Sequence, residues 1–313
     1  MAKQRKARDP GTGTQYNFNA KRIINKDGSF NVNKVGLGQN TRNIYQSLIK
    51  MTWSRFLLVV FAFLFAVNGV FALLYTMVGV EYLGKEPSVS LFGQFLYAFY
   101  FSFQTFTTVG YGIYHPIGHL ANIISVVESV LGWMCFALIT GMLYGRFSQP
   151  SARLLYSKKA IISTYKNNIS SFQFRIANMR NSLLMEMEAT VLLMIVDKTK
   201  GSSWKREFIP LSLEREFILF FPLTWTIVHP IDEKSPLYQK SRSDLEQMDI
   251  EVLIRIKGYD DTFAQTVHSR YSYKSDEIIW GARYNQVFDV DNNGDIQLYF
   301  DKMHDYEKLD LPK

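Results

Sequence analysis

Two long runs of apolar residues dominate the pattern of the chain. Phe56 to Val80 contains no charged residue, and Leu120 to Tyr144 contains only Glu128. About 20 apolar residues span the hydrocarbon core of a bilayer, whereas soluble helices of this length usually carry a polar face. The pattern therefore predicts two transmembrane helices, over residues 56–80 and 120–144.

A third apolar run lies between these two and is too short to cross a bilayer. Leu91 to Thr107 is uncharged and rich in aromatic residues. Backbone that does not cross the membrane is tolerated at that depth only where it is buried in protein or lines water. The run therefore predicts a re-entrant helix over residues 91–107, and the negative end of its dipole favours a cation.

The residues directly after this run are Thr107-Thr-Val-Gly-Tyr-Gly112. The TVGYG segment resembles the selectivity filter of potassium channels, in which backbone carbonyls replace the hydration shell of K⁺. Such a carbonyl ladder needs backbone of alternating handedness, which Gly110 and Gly112 tolerate because they lack a Cβ. The resemblance implies a filter over five residues with K⁺ bound by oxygens of the first four: Thr108, Val109, Gly110, Tyr111 and Gly112.

The side chains and copy number of this filter follow from its geometry. The Thr108 hydroxyl adds an inner ring of oxygens, while Val109 and Tyr111 are expected to face away from the ion. One ladder cannot surround an ion, and a chain with one filter run and two spans supplies a quarter of a pore. We therefore expect a homotetramer.

Charge predicts the orientation. Residues 1–50 hold ten Lys and Arg against Asp9 and Asp27, and residues 146–180 hold seven basic residues and no acid. By the positive-inside rule, both termini are expected to be cytoplasmic in a cell-membrane protein. The net charge of +7 is then a feature of the inner membrane face, and no nucleic-acid-binding motif accompanies it.

From about Ser151 the composition changes to short β-rich runs separated by turns. This spacing predicts a cytoplasmic β-sandwich over residues 149–313. The predicted strands are Ala189–Val196, Thr224–His229, Ile250–Lys257, Thr262–Tyr273, Arg283–Val290 and Asp295–Phe300. Asp289–Asp295 imitates the start of an EF-hand loop, but its twelfth position is Phe300 and not Glu. A hairpin turn at Asn293-Gly294 is the preferred interpretation.

The start of the chain divides into two parts. Residues 1–40 are polar and form an N-terminal cytoplasmic segment. Residues 41–53 place apolar side chains at helical spacing, which predicts a helix lying in the inner membrane interface. The alternative is a simple N-terminal extension of the first span. The pore domain is then expected over residues 54–148.

Four motifs together indicate a family. They are Thr107–Gly112, Arg146–Pro150, Ile227–Tyr238 and Asp276–Gly281. The chain resembles the prokaryotic inward-rectifier potassium channels from about Lys21 to Tyr306. The resemblance implies a multi-domain membrane protein with two transmembrane helices and a re-entrant pore helix, followed by a cytoplasmic immunoglobulin-like β-sandwich. It also implies an interfacial slide helix, which residues 41–53 match.

The resemblance implies positions for gating and block. The second span carries a stripe at every fourth residue, for which ordinary helix packing is the alternative: Gly132, Phe136, Thr140 and Tyr144. Gly258 begins the loop of a second, cytoplasmic constriction, and Glu186 matches an acid of the cytoplasmic pore. Strongly rectifying relatives have an acid at the position of Phe136, where Mg²⁺ or polyamines plug the pore. Weak rectification is therefore expected.

Basic residues near the ends of both spans suggest a response to lipid. The family responds to anionic phospholipids, and the best candidates for contact with the headgroups are Arg55, Arg146 and Arg153. The alternative is that these charges only fix the topology.

Glu128, within the second span, is expected to have a structural hydrogen-bonding role, because an acid within a span is costly unless it is paired or in contact with water.

Other chemistry finds little support. The one cysteine, Cys135, excludes an intrachain disulfide and a cysteine metal site. No nucleophile motif or phosphate-binding loop is present, so neither an enzyme nor a cofactor is expected, K⁺ being the permeant ion. Two rival functions stay open: a membrane-anchored protein whose β domain senses a ligand without conduction, and a nonselective cation channel. The TVGYG run argues against both.

Overall fold

The chain divides into two compact units, Val35–Gln149 and Met1–Lys34 with Pro150–Lys313. The computed structural model describes residues 9–14, 22–33, 35–36, 44–84, 90–148, 152–166, 169–197 and 204–311. The first unit is the helical unit, whose described part contains a 3₁₀ helix (Val80–Leu83) and four α-helices. They are α1 (Ile44–Lys50), α2 (Trp53–Val78), α3 (Leu91–Phe106) and α4 (Gly118–Phe147).

Both α2 and α4 are long and apolar enough to cross a membrane. Residues 44–50 form a helix of their own, because Thr52 is extended at ψ 152 and α2 begins only at Trp53. Residues 41–43 of the predicted interfacial helix lie outside the described residues. The chain thus leaves α1 through a turn before it enters the first long helix.

The short helix α3 lies between α2 and α4. It begins at the N-cap Ser90, whose hydroxyl accepts a hydrogen bond from the Gly93 amide at 3.3 Å. Ala98 and Phe101 of this helix are buried against Ala72 and Tyr75 of α2. The helix ends at Phe106 with Thr107 as its C-cap, so the filter run starts where the helix stops.

The second unit is a β domain with one short helix, α5 (Arg242–Gln247). Its strands are β1 (Leu154–Tyr156), β2 (Ala160–Thr164), β3 (Ser170–Asn178), β4 (Leu184–Asp197), β5 (Lys205–Pro210), β6 (Phe217–Phe220), β7 (Thr224–Ile231), β8 (Glu251–Asp260), β9 (Gln265–Lys274), β10 (Ile278–Trp280), β11 (Ala282–Tyr284), β12 (Phe288–Val290), β13 (Ile296–Leu298) and β14 (Tyr306–Lys308).

Two five-stranded sheets form the body of this domain. One has the order β1-β3-β2-β10 with β7 paired to β3, and the other has the order β5-β4-β8-β9 with β6 paired to β4. The main apolar core lies between the sheets and includes Phe174, Leu193 and Tyr273. Side chains alternate along strands such as β7, where every second residue is buried, as a sandwich requires.

Two strand predictions need correction. The predicted strand 283–290 is wrong, because the chain forms β11 and β12 there, which pair with β14 and β13 respectively. The predicted strand 224–229 stops too early, because β7 continues through Pro230, which lies opposite Ser171. The described part of β7 pairs with β3 alone, and an edge strand tolerates proline because its outer N–H positions need no partner.

The segment with the EF-hand-like sequence joins β12 to β13 as a hairpin. The Asp291 carboxylate accepts hydrogen bonds from the amides of Asn293 and Asp295, both at 2.9 Å. Gly294 has a φ of 88°, which suits glycine in a tight turn. Within the described residues no group of acidic, His or Cys side chains is arranged to hold a metal ion.

The N-terminal segment, defined here as residues 22–33, folds onto the β domain. The amides of Ile23 and Ile24 donate to the buried Glu251 carboxylate at 2.8–3.2 Å. Arg22 and Lys26 form ion pairs with Glu277 at 3.0 and 2.8 Å. The first and last parts of the chain therefore share one folded unit.

Candidate functional site

The filter run has backbone of alternating handedness. Thr108, Gly110 and Gly112 have φ angles of 58°, 53° and 82°, whereas Val109 and Tyr111 are not in the positive-φ region. Sequence reasoning anticipated the two glycines. It missed Thr108, because a β-branched residue rarely adopts a positive φ. Alternation is the conformation that lets successive carbonyls point the same way.

The last turn of α3 holds the strained start of the filter. The Thr108 amide donates to the Thr105 carbonyl at 3.1 Å, and the Val109 amide donates to the Gln104 carbonyl at 2.9 Å. The Thr107 hydroxyl donates to the Phe103 carbonyl at 2.6 Å. These bonds offset the cost of about 1–3 kcal/mol for an unfavourable φ.

One chain does not enclose an ion path. The side chains of Val109 and Tyr111 are 54% and 73% exposed, and a Cβ placed on Gly110 or Gly112 would have no atom within 4 Å. The filter run is therefore open on its sides in a single chain. A closed ring of carbonyls requires further copies of it.

The predicted stripe on α4 divides into a buried end and an exposed remainder. Gly132 is buried, and a Cβ there would lie 2.2 Å from the Phe106 carbonyl oxygen. Phe136, Thr140 and Tyr144 are exposed. Gly132 thus permits close approach of α4 to the end of α3, and α4 runs without interruption through this position.

A cleft of about 420 Å³ connects this stripe with the filter. Its lining includes Thr107 and Thr108 from the filter run, Gly132 and Phe136 from α4, and Leu64 from α2. Phe136 therefore lies near the start of the filter run, in an uncharged setting.

Glu128 of α4 is fully buried and contacts two hydroxyl groups. The Tyr75 hydroxyl donates to Glu128 Oε2 at 2.7 Å, and Ser102 Oγ contacts Glu128 Oε1. Ser102 Oγ also lies 2.9 Å from Asn68 Oδ1. Sequence reasoning anticipated hydrogen bonds to Glu128 but not these partners. The signal was available, since Asn68 and Ser102 are polar residues within apolar helices.

Arg146 is bound to the end of α1. Its guanidinium donates to the carbonyls of Leu48, Ile49 and Met51 at 2.5–2.8 Å. It also lies over the rings of Trp53 and Phe56, at 4.6 and 4.5 Å. A cation at these final carbonyls completes the C-terminus of a helix that has few other partners.

The two other predicted lipid contacts are exposed arginines. Arg55 lies in the first turn of α2, and Arg153 immediately precedes β1. They belong to different compact units.

In the β domain, Gly258 and Glu186 come together at an irregular pairing. The register of β4 and β8 shifts between Met185 and Glu188, and Glu186 has a φ of 49°. Gly258 lies opposite this bulge, where a Cβ would come within 2.2 Å of Met187 Sδ. The bulge redirects the Glu186 side chain at the end of the β8–β9 hairpin.

Two buried interactions fix the tip of that hairpin. The Asp260 carboxylate accepts hydrogen bonds from the amides of Thr262 and Phe263 at 3.0 and 3.3 Å. Arg180 forms an ion pair with the same carboxylate at 3.1 Å. Nearby, Lys257 lies 3.5 Å from Glu188, so the charge of this lysine is offset by a neighbour on β4.

Protein-family models match both parts of the chain. The family model of the inward rectifier potassium channel transmembrane domain matches residues 24–150, and the family model of the inward rectifier potassium channel C-terminal domain matches residues 154–313. The chain belongs to the inward-rectifier potassium channel family. This is a family of ion channels and not of enzymes, and the chain is a membrane protein.

Individual relatives cover nearly the whole chain. It is 33% identical over 286 residues to the inward rectifier potassium channel Kirbac3.1 of Paramagnetospirillum magnetotacticum, covering 91% of this chain and 95% of the relative. It is 28% identical over 318 residues to the G protein-activated inward rectifier potassium channel 4 of Mus musculus, covering 93% and 74%. The predicted family is confirmed, and so is the fold class of two membrane-length helices, a pore helix and a β-sandwich.

Proposed function

We propose that the chain forms a homotetrameric, potassium-selective channel in the cell membrane with both termini in the cytoplasm. The observation that carries the proposal is the filter run, in which positive φ recurs at Thr108, Gly110 and Gly112 at the end of the uncharged helix α3. K⁺ binds to carbonyl oxygens of residues 108–111, which replace its water. The C-terminal end of α3 adds a favourable dipole.

Gating belongs to two constrictions in this proposal. The first is formed by α4, where the exposed Tyr144 side chains of four copies close a dewetted ring and Thr140 and Phe136 line the path above it. The second is the β8–β9 hairpin with Gly258, beside which Glu186 supplies negative charge. Rectification is weak, since Phe136 gives Mg²⁺ or polyamines no charge to bind.

Anionic lipid modulates the channel through Arg55, Arg146 and Arg153. Each basic residue near an anionic surface contributes about 1 kcal/mol to lipid binding. The guanidinium of Arg146 is already engaged with the carbonyls of Leu48 and Ile49 in α1 and of Met51 just after it, so a headgroup competes with these carbonyls for it. Lipid therefore acts on the joint between α1 and α4, and the direction of the effect is left to measurement.

Flux through purified protein in liposomes tests the main proposal. We expect potassium efflux well above sodium efflux, and a tetramer in detergent by light scattering. Equal fluxes of the two ions would favour a nonselective channel. A well-folded protein that carries neither ion would favour a membrane-anchored sensor.

A further inference from the structure

A cluster of four polar side chains joins α2, α3 and α4 of the helical unit. We name it the polar junction: Asn68 and Tyr75 of α2, Ser102 of α3 and Glu128 of α4. All four are buried. Phe106 and Gly132 lie one helical turn after Ser102 and Glu128, and they form a second contact between α3 and α4. The junction therefore lies on the seam that positions the end of α3.

The hydrogen atoms of the junction can be counted. Ser102 Oγ lies 2.9 Å from Asn68 Oδ1 and 3.2 Å from the Asn68 carbonyl oxygen, and it also contacts Glu128 Oε1, but one hydroxyl carries a single proton. The Asn68 amide presents Oδ1 and not Nδ2 to Ser102, because Nδ2 donates to the Leu64 carbonyl at 2.8 Å. Reversing this amide would set Oδ1 against the Leu64 carbonyl oxygen. An ionised Glu128 therefore adds a further acceptor to a hydroxyl that has one proton to give.

A neutral carboxylic acid at Glu128 pairs both of its oxygens and leaves the Ser102 proton free for Asn68. Its Oε1–H donates to Ser102 Oγ, the Ser102 proton passes to Asn68 Oδ1, and Oε2 accepts from the Tyr75 hydroxyl at 2.7 Å. Both partners of the carboxyl are hydroxyls, and an unpaired charge at this depth would be costly. The geometry is thus complete without an ion pair.

Resting on the proposed function, we infer that Glu128 is a positioning residue that works as a neutral hydrogen-bond donor and acceptor. It fixes the height of α3, and thereby of the filter run, against α2 and α4. It does not act as a negative charge that attracts K⁺. A carboxylic acid and a carboxamide have the same shape and the same donor–acceptor pairing here, whereas a shortened carboxylate reaches only one partner.

Four variants of the full chain separate the two roles: Glu128→Gln, Glu128→Asp, Glu128→Ala and Ser102→Ala. We expect Glu128→Gln to keep the K⁺ over Na⁺ flux ratio within about twofold of the unchanged protein. The other three should lower it by about tenfold, the effect of leaving a buried polar group unpaired. Retained selectivity in Glu128→Asp with loss in Glu128→Gln would overturn the inference and establish a charge role. Unchanged selectivity in all four would remove the positioning role.

An infrared difference spectrum supplies a readout that does not depend on conduction or on the stability of a variant. A protonated carboxyl has a C=O stretching band that a carboxylate lacks. Subtracting the spectrum of Glu128→Gln from that of the unchanged protein at neutral pH should reveal this band, and a carboxylate band in its place would contradict the inference. Absent selectivity in the unchanged protein would instead refute the proposed function.

Discussion

Gly110 and Gly132 are both glycines of the helical unit, and the structure needs each for a different reason. Gly110 has a φ of 53° with open space around its Cβ position. Gly132 has helical backbone, but a Cβ there would lie 2.2 Å from the Phe106 carbonyl oxygen. The first glycine is required by the backbone angle and the second by the distance between two helices.

Gly110→Ala tests the filter backbone. A Cβ in left-handed backbone costs roughly 1–2 kcal/mol in each subunit, so we expect the K⁺ over Na⁺ flux ratio to collapse. Gly69→Ala is the matched control, since Gly69 lies in α2 with no atom within 4 Å of its Cβ position. Selective flux that persists in Gly110→Ala would remove residues 108–112 from the ion path.

Gly132→Ala tests the close approach of α4 to α3. Overpacking a buried contact costs roughly 1–3 kcal/mol, so the melting temperature of the purified protein should fall. Gly141→Ala, in the same helix with no atom within 4 Å of its Cβ position, should leave it unchanged or raise it slightly. If both variants had the same melting temperature, α3 and α4 would accommodate the added Cβ at position 132 without loss of stability.

His229 predicts a pH dependence of the β domain. Its Nδ1–H donates to the Ser212 carbonyl at 2.6 Å and its Nε2 accepts from the Ser235 hydroxyl at 2.8 Å. Burial lowers the pKa of this imidazole. The unfolded chain then binds a proton that the folded chain does not, so the free energy of unfolding falls as the pH drops below about 6.5.

Thermal unfolding between about pH 7.5 and about pH 5.5 measures this dependence. His229→Gln should flatten the fall in melting temperature across that range, because the group that titrates is gone. The exposed His268 on β9 provides the control His268→Gln, which should retain the fall. An unchanged slope in His229→Gln would show that other groups cause the pH dependence.

At the scale of elements, the short helix α1 is stabilised by a side chain of α4. It has seven residues, too few for a stable isolated helix in water. The Arg146 guanidinium binds two of its last carbonyls and that of Met51 just after it, and it lies against two aromatic rings. Movement of the end of α4 is therefore transmitted directly to α1.

Arg146→Lys tests whether shape or charge matters at this joint. An ammonium keeps the charge but cannot span three carbonyls as the planar guanidinium does. Arg146→Gln removes both the guanidinium and its charge, and we expect Arg146→Lys to show the same altered response of flux to graded anionic lipid in liposomes. Arg55→Lys, at an exposed position, should behave as the unchanged protein. A full rescue by lysine at position 146 would favour a purely electrostatic contact with lipid.

Sequence patterns predicted some of these elements and missed others. Hydrophobic runs and the TVGYG segment predicted α2, α3, α4 and the filter run, because these features are local. The β-rich runs that were recognised largely coincide with β4, β7, β8 and β9. The prediction missed seven of the described strands, because pairing with other strands stabilises them and a local pattern does not show it: β1, β2, β3, β5, β6, β10 and β14. The partners of Glu128 and Arg146 are likewise set by tertiary packing.

At the scale of the whole molecule, one uncharged residue influences what can block the proposed pore. Phe136 is exposed on α4 and lines the cleft beside Thr107 and Thr108. Four copies around an axis would give an apolar cavity below the filter. Such a cavity offers polyamines no counter-charge, although carboxylates there would interact strongly across the low dielectric.

Phe136→Asp should therefore convert weak spermine block into strong block from the inner side. Phe136→Asn is the control, because asparagine has the size of aspartate but no charge. Spermine should block this variant as weakly as it blocks the unchanged protein. Inhibition of potassium flux by spermine applied to one side of the liposome measures both. Strong block of the unchanged protein would assign block to another acid, with Glu186 the first candidate.

The docking of residues 22–33 on the β domain has a consequence for synthesis on the ribosome. Ile23 and its acceptor Glu251 are separated by 228 positions, which take roughly 10–45 seconds to translate. During that interval Ile23 and Ile24 have no β8 on which to be buried, while both long helices have already emerged. Protection of residues 22–33 from proteolysis therefore indicates that synthesis of the β domain is complete. A chain interrupted before Glu251 leaves these residues exposed to degradation.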